Sequence, residues 1–333
     1  MVAGTPRGTS PSRGSDSSRG IRHLISLTDL PGSAVREIVE RGAQLSRDAS
    51  RGTPAAPTLA GSVVGTYFAK TSTRTRTAFS SGALRLGAAV LGFGPGDLQL
   101  NTGESFEDTG QVLARMLDAL VVRTAADPAH LRALAAQDRM AVINAMSADE
   151  HPTQALADLT TLHLRFGSPD GLRVLYVGEG NNTAAALALG LSRYRRTLLE
   201  LRTPPGYGLD PALLRRAAAA AEENGSIVRE LHDPPVPPFD GDGAVNVVYT
   251  ARWQTTGTTK PDPGWRAVFE PFRVTAALMA GAPGALFMHD LPAHRGEEVT
   301  AEVLDGPDSI AFDQAENKMY SAMAVLEWCH GRG

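Results

Sequence analysis

One cysteine, Cys329, stands in 333 residues. No disulfide can close within the chain and no thiolate-rich metal site can form, which fits a reducing, cytoplasmic setting. Long apolar runs are missing too: none approaches the roughly 18 residues needed to span a bilayer. The alanine-rich stretches near 184–191 and 217–221 are flanked by Asn, Arg and Glu, as in soluble helices. The first twenty residues are dominated by Ser, Gly and Arg and lack the apolar core of a secretory signal, so 1–20 read as a disordered tail. Excess basic charge is absent as well. Lys and Arg number 32 against 36 Asp and Glu, a net charge of -4, which argues against a nucleic-acid surface built on bulk charge. A single basic pocket is not excluded by that balance.

What is present is alternation. From about Ile21, short β-branched runs take turns with helical patterns, with strands expected at 62–68, 119–122, 141–144, 173–177, 197–201, 227–231, 245–249 and 286–289. This order predicts an α/β fold of two three-layer domains, each a mainly parallel sheet flanked by helices. The seam falls near Ser147-Ala148-Asp149-Glu150-His151-Pro152, giving a first domain over 21–150 and a second over 151–314. The last stretch, 315–333, carries apolar residues at helical spacing (Met319, Met323, Leu326). That helix is expected to pack back on the first domain.

Four clusters carry chemistry. Ser72-Thr73-Arg74-Thr75-Arg76-Thr77 sits where a strand gives way to a helix, and such an entry offers free backbone N–H groups and the positive end of the dipole. Hydroxyls and a guanidinium interleaved there supply the donors that phosphate oxygens need. The plain reading is a capped helix with exposed arginines; three hydroxyls and two arginines at one entry favour an anion site. His151-Pro152-Thr153-Gln154 opens another helix. Thr153 can cap it, while His151 and Gln154, three apart, share a face that can bond a small polar group. Arg123 ends a strand, the position where open α/β sheets gather ligands. Phe287-Met288-His289-Asp290-Leu291-Pro292 closes a buried strand on a turn that admits a cis proline. Gly178-Glu179-Gly180-Asn181-Asn182 follows a strand like a dinucleotide turn, but position 183 is Thr where a third glycine is required, and the acidic residue at the right distance, Glu200, lies within a strand pattern.

Taken in this order, the clusters resemble the aspartate/ornithine carbamoyltransferase family, over nearly the whole chain from Ile21, and look closest to its ornithine branch. Glu104-Ser105-Phe106-Glu107-Asp108-Thr109 and Ala315-Glu316-Asn317 support the resemblance. It implies a homotrimer with active sites shared between subunits and no metal or organic cofactor. Carbamoyl phosphate and a small amine or amino acid are its implied partners. The resemblance places phosphate on Ser72, Thr73, Arg74 and Thr75, with Gln99 reaching in from the adjacent subunit. It places the carbamoyl group on Thr75, Arg123, His151 and Gln154, and Arg76 in a structural ion pair. Arg123, His151 and Thr75 would stabilise the oxyanion that forms as an amine attacks.

The acceptor half departs from the ornithine pattern. The Asp-x-x-x-Ser-Met-Gly segment of that branch is Ala251-Arg252-Trp253-Gln254-Thr255-Thr256-Gly257 here, so its carboxylate is gone. The cysteine of the His-Cys-Leu-Pro turn is Asp290, and a late arginine is Lys318, which has no bidentate fork. Asn182, Arg252, Thr255, Thr256, Asp290 and Leu291 are therefore the expected acceptor-binding residues, with Asp290 also counted as catalytic. These changes predict an acceptor other than free ornithine, for example a diaminopropionate unit in antibiotic assembly. Ordinary citrulline formation from ornithine is the alternative. A non-catalytic homologue that binds a ligand or partner is the reading from another class.

Overall fold

The computed structural model describes residues 20–237, 243–255 and 259–332; the tail up to residue 19 lies outside them, as does Thr256. The short apolar runs form two separate parallel sheets. The first holds β1 (Val63–Phe68), β2 (Ala89–Phe93), β3 (Ala119–Arg123) and β4 (Ala141–Asn144) in the order β2-β1-β3-β4. The second holds β5 (Arg173–Val177), β6 (Leu198–Arg202), β7 (Ile227–Leu231), β8 (Val247–Thr250) and β9 (Leu286–His289) in the order β7-β6-β5-β8-β9. β3, β4 and β8 are buried along their whole length, as strands covered by helices on both faces must be.

β2 was not expected from the sequence. It is an edge strand in which no residue is fully buried, and its run Ala89-Val90-Leu91 has only one β-branched side chain before Gly92 interrupts it. The other strands lie where expected, with ends shifted by one or two residues at β1, β3, β6 and β8.

Five helices matter for the site: α1 (Gly32–Ser50), α2 (Arg74–Arg85), α3 (Pro152–Phe166), α4 (Asn182–Leu191) and α5 (Ala311–Cys329). The chain returns to the first sheet through α5, which packs against α3, α1 and α2 and begins at Ala311, earlier than its apolar spacing suggests. Gly82 of α2 makes this crossing possible, since a Cβ there would come within 2.9 Å of Met323 Cγ. Glu327, fully buried on α5, accepts from Arg41 Nε of α1 at 2.6 Å and from the Thr58 hydroxyl at 2.8 Å. Around it Val35, Ile38, Val39, Ala324, Val325 and Leu326 are completely buried in one core. Each large side chain there contributes about 1.5–3 kcal/mol through burial. One continuous core thus joins α1, α2, α3 and α5 and holds the two sheets as neighbours.

Candidate active site

In each sheet the strand order reverses once, and the carboxyl ends of strands beside such a reversal form a crevice suited to ligands. In the first sheet, β1 leads into residues 71–75 and β3 ends in Arg123. In the second, β5 leads into the Gly178–Asn182 turn and β8 into Ala251-Arg252. Both crevices open on one cavity of about 320 Å³ at the seam.

The phosphate-type cluster forms one wall. α2 starts at Arg74, earlier than the apolar pattern near 78 suggests, with Thr73 at its N-cap making no side-chain capping bond. The hydroxyls of Ser72 and Thr73 have no partner among the described residues, so the helix entry keeps its donors free. Arg74 Nη2 donates to the carbonyl of Leu291 at 2.7 Å, which ties this entry to the turn after β9. Burial holds the Arg74 guanidinium below its usual range, with Asp290 pulling the other way. Arg76 lies outside the cavity and stacks over Phe68, 5.0 Å from the ring centre. Among the described residues its contact is this cation–π one, and the expected ion pair is not made there.

Arg123, 9% exposed, is the most buried guanidinium of the cavity. Its Nη1 donates weakly to Thr75 Oγ1 at 3.4 Å, and its Nε has no partner. Burial, then the neighbouring Arg74, lowers it to about 10 against some support from Asp290. A buried guanidinium with unfilled donors and no touching carboxylate is costly, and an anion in the cavity would supply what is missing.

α3 supplies the opposite wall. His151 is the N-cap and Pro152 the first helical residue. Thr153 does not cap the helix as expected; its hydroxyl lies 3.3 Å from His151 Nδ1 instead. Burial, then Lys318 and Arg123, hold His151 well below the usual histidine range, so the ring enters the cavity uncharged at neutral pH. Gln154 Oε1 accepts from Lys318 Nζ, and its Nε2 donates to Asp158 Oδ1 at 2.8 Å. Asp158 also accepts from Gln314 at 2.7 Å and from the Tyr249 hydroxyl at 3.0 Å. Gln314 in turn accepts from the backbone N–H of His289 at 2.9 Å. This chain of bonds, running from α3 through β8 and α5 to β9, was not read from the sequence, because Asp158, Tyr249 and Gln314 are far apart along it.

The turn after β9 completes the site. Leu291-Pro292 is a cis peptide. His289 Nδ1 accepts from the Leu291 N–H at 2.8 Å and so carries no proton, leaving Nε2 to donate to Glu298 at 3.1 Å. The nearby Asp290 carboxylate, 3.5 Å from that unprotonated Nδ1, is therefore not an ion-pair partner of His289. Asp290 Oδ2 accepts from the Thr183 hydroxyl at 2.9 Å, a contact foreshadowed only by the run Asn181-Asn182-Thr183.

Arg252, Thr255, Asn182, Asp290, Leu291 and Lys318 all line the same cavity. Arg252 Nε is buried without a partner. Asn182 donates from Nδ2 to the carbonyl of Ser147 at 2.9 Å, stapling the seam. Gln99 lies elsewhere, exposed on a short turn (Gln99–Thr102), and is not among the lining residues. The glycine turn serves packing: a Cβ on Gly180 would fall 2.3 Å from the backbone of Gly208 and Leu209. Its Glu179 pairs with Lys260, whose ammonium also faces Tyr207, Trp265 and Phe269.

Comparison with known proteins gives the family. Residues 22–164 match the aspartate/ornithine carbamoyltransferase carbamoyl-P binding domain, and residues 170–329 match the Asp/Orn binding domain of the same family. The chain belongs to the aspartate/ornithine carbamoyltransferase family. It is 40% identical to an ornithine carbamoyltransferase of Symbiobacterium thermophilum over 92% of this chain and 96% of that one. The ornithine carbamoyltransferase structure from Pyrococcus furiosus superposes with a TM-score of 0.85 at 36% identity, covering 94% of this chain and 98% of the other. That of a mitochondrial enzyme from Coccidioides immitis gives 0.82 at 27% identity, over 94% and 99%. Among the described residues no helix is long and apolar enough to cross a membrane.

Proposed function

We propose that this family member transfers the carbamoyl group of carbamoyl phosphate to an amino-acid amine, with ornithine as the first acceptor to consider. The observation that carries the reading is the cavity between the sheets, where Arg74, Arg123 and free hydroxyls meet a neutral His151 and Gln154. Ser72, Thr73, Arg74 and Thr75 cradle the phosphate, and its charge relieves the unpaired guanidinium of Arg123. The neutral acceptor amine attacks the carbonyl carbon. Arg123, the Thr75 hydroxyl and His151 stabilise the oxyanion that develops, and the C–O bond to phosphate then breaks. Holding both substrates in one cleft supplies much of the acceleration. Asp290, anchored by Thr183, faces the acceptor side and takes up or pairs the amine's proton. Ornithine comes first because the curated relatives and solved structures similar to this chain carry its name.

A different acceptor is the second reading, and one arrangement favours it. Ala251 is 1% exposed and offers no carboxylate, while Arg252 brings a cation with an unpartnered Nε to the cavity wall. An acceptor's ammonium then has Asp290 as its acid, and an anionic end meets Arg252. We also propose that a trimer completes the site with Gln99 of a neighbouring subunit, in keeping with the exposed Leu91, Val112 and Met116. Steady-state kinetics with carbamoyl phosphate and a panel of ornithine, diaminopropionate and lysine decide the acceptor. Saturating citrulline formation from ornithine supports the first reading, and a strong preference for another amine supports the second. Sedimentation at micromolar concentration tests the trimer, and a monomer with full activity would refute it.

A further inference from the structure

The chain holds only three lysines, Lys70, Lys260 and Lys318, and their surroundings differ sharply. Lys70 is exposed. Lys260 is paired with Glu179 inside aromatic rings. Lys318 is 5% exposed, lines the cavity between the sheets, and reaches it from α5 with a single hydrogen-bond acceptor, Gln154 Oε1. Arg123 and Arg74 face it from β3 and α2, His151 and Asp158 from α3, and Asp290 from the turn after β9. No carboxylate touches its ammonium among the described residues. Such an amine, out of water and beside two guanidinium groups, readily gives up its proton, and burial followed by Arg123 does hold it well below the usual lysine range. A neutral amine is a nucleophile toward carbonyl carbon.

We propose that Lys318 is a carbamoyl acceptor within the chain, modified by bound carbamoyl phosphate when no amine occupies the acceptor side. The inference rests on the proposed function, which puts the donor's carbonyl beside Gln154 and His151. The Nζ lone pair forms a bond to the carbonyl carbon, and the bond from that carbon to the phosphate oxygen breaks. The electron pair leaves with phosphate, which also takes the proton lost from Nζ. The product is a neutral ureido side chain on Lys318 and free inorganic phosphate. The same groups that serve transfer to an external amine would serve this step. An arginine at position 318 has no comparable free amine and stays protonated. Loading with donor alone therefore inactivates the enzyme slowly, and the acceptor protects it.

The test uses the full chain incubated with carbamoyl phosphate at neutral pH, alone, with ornithine, and with excess inorganic phosphate. Intact mass and peptide mapping read the modification, and phosphate release with an amine panel is followed in parallel. The expected result is one carbamoyl group per chain on the Lys318 peptide, suppressed by either additive, with transfer activity falling in proportion. K318R is expected to gain no mass at that position, and whatever turnover it has should not decay during incubation with the donor alone. Equal labelling of Lys70 and Lys318, insensitive to phosphate, would mean solution cyanate chemistry and overturn the proposal. Transfer to an external amine with Lys318 unmodified would overturn it and leave the proposed function standing. Absence of both transfer and modification would overturn the two together.

Discussion

Replacing Arg123 with Gln separates what the cavity needs for binding from what the fold needs for stability. Arg123 is buried, makes one long bond to Thr75, has an unpartnered Nε, and sits beside Arg74. A guanidinium held near 10 instead of 12.5 is disfavoured in the folded state by about 3 kcal/mol. Removing the charge relieves most of that penalty, while Gln keeps a donor within reach of Thr75. The free variant should therefore melt at the wild-type temperature or on the order of a few degrees higher. Activity should move the other way. Loss of one donor at a developing oxyanion costs about 3–4 kcal/mol, or roughly a hundred- to thousandfold in kcat. Thermal melts with and without phosphate, alongside phosphate-release kinetics, read both effects. Ligand stabilisation should shrink in the variant because less binding energy is linked to the folded state. A variant that melts well below wild type while retaining near-normal turnover would refute the reasoning, since Arg123 would then be structural.

Three further perturbations follow from the same geometry. Glu150 accepts from the Leu27 N–H at 2.8 Å and the Ser26 hydroxyl at 2.5 Å, and burial raises it from 4.5 to about 7. Its proton is thus held more tightly folded than unfolded, so its contribution is fully present below about pH 4.5. That contribution, about 3 kcal/mol at most, is lost as pH rises to about 7; Glu150→Gln should flatten this slope in denaturant titrations across pH 4.5–7, and an unchanged slope would count against it. Lys260→Met leaves Glu179 buried without its ion pair and should lower stability by about 3–5 kcal/mol, whereas adding Glu179→Gln should restore most of it. Arg252→Met should raise the acceptor KM at least about tenfold, roughly the loss of one charge-assisted bond, with inhibition by phosphate unchanged. Equal weakening of both ligands would mean that Arg252 belongs to the phosphate side.

The sequence made the site more legible than its supports. Ser72–Thr75, His151 and Gln154 are contiguous motifs at helix entries, where side-chain chemistry and backbone geometry coincide, so residue order alone brings them forward. The parallel strands were visible because buried strands are apolar throughout. β2 was not, since its three apolar residues before Gly92 include a single β-branched one. Thr153 looked like a cap because threonine is a favoured N-cap residue; here His151 takes the cap position and the hydroxyl turns to its ring. The Asp158–Gln314–Tyr249 network depends on α5 folding back across α3, a long-range event with no local trace. The same holds for Asp290, whose partner, Thr183, comes from the first turn of α4.

The central claim is that the cavity between the two sheets binds carbamoyl phosphate and passes its carbamoyl group to an amine. The most direct measurement is simultaneous quantitation of inorganic phosphate and ureido product with carbamoyl phosphate and ornithine or a competing diamine. The account predicts the two products in equal amounts, both abolished in Arg123→Gln by roughly a hundredfold or more. Phosphate appearing only at the rate of spontaneous donor breakdown, with no ureido product from any amine tested, would contradict it.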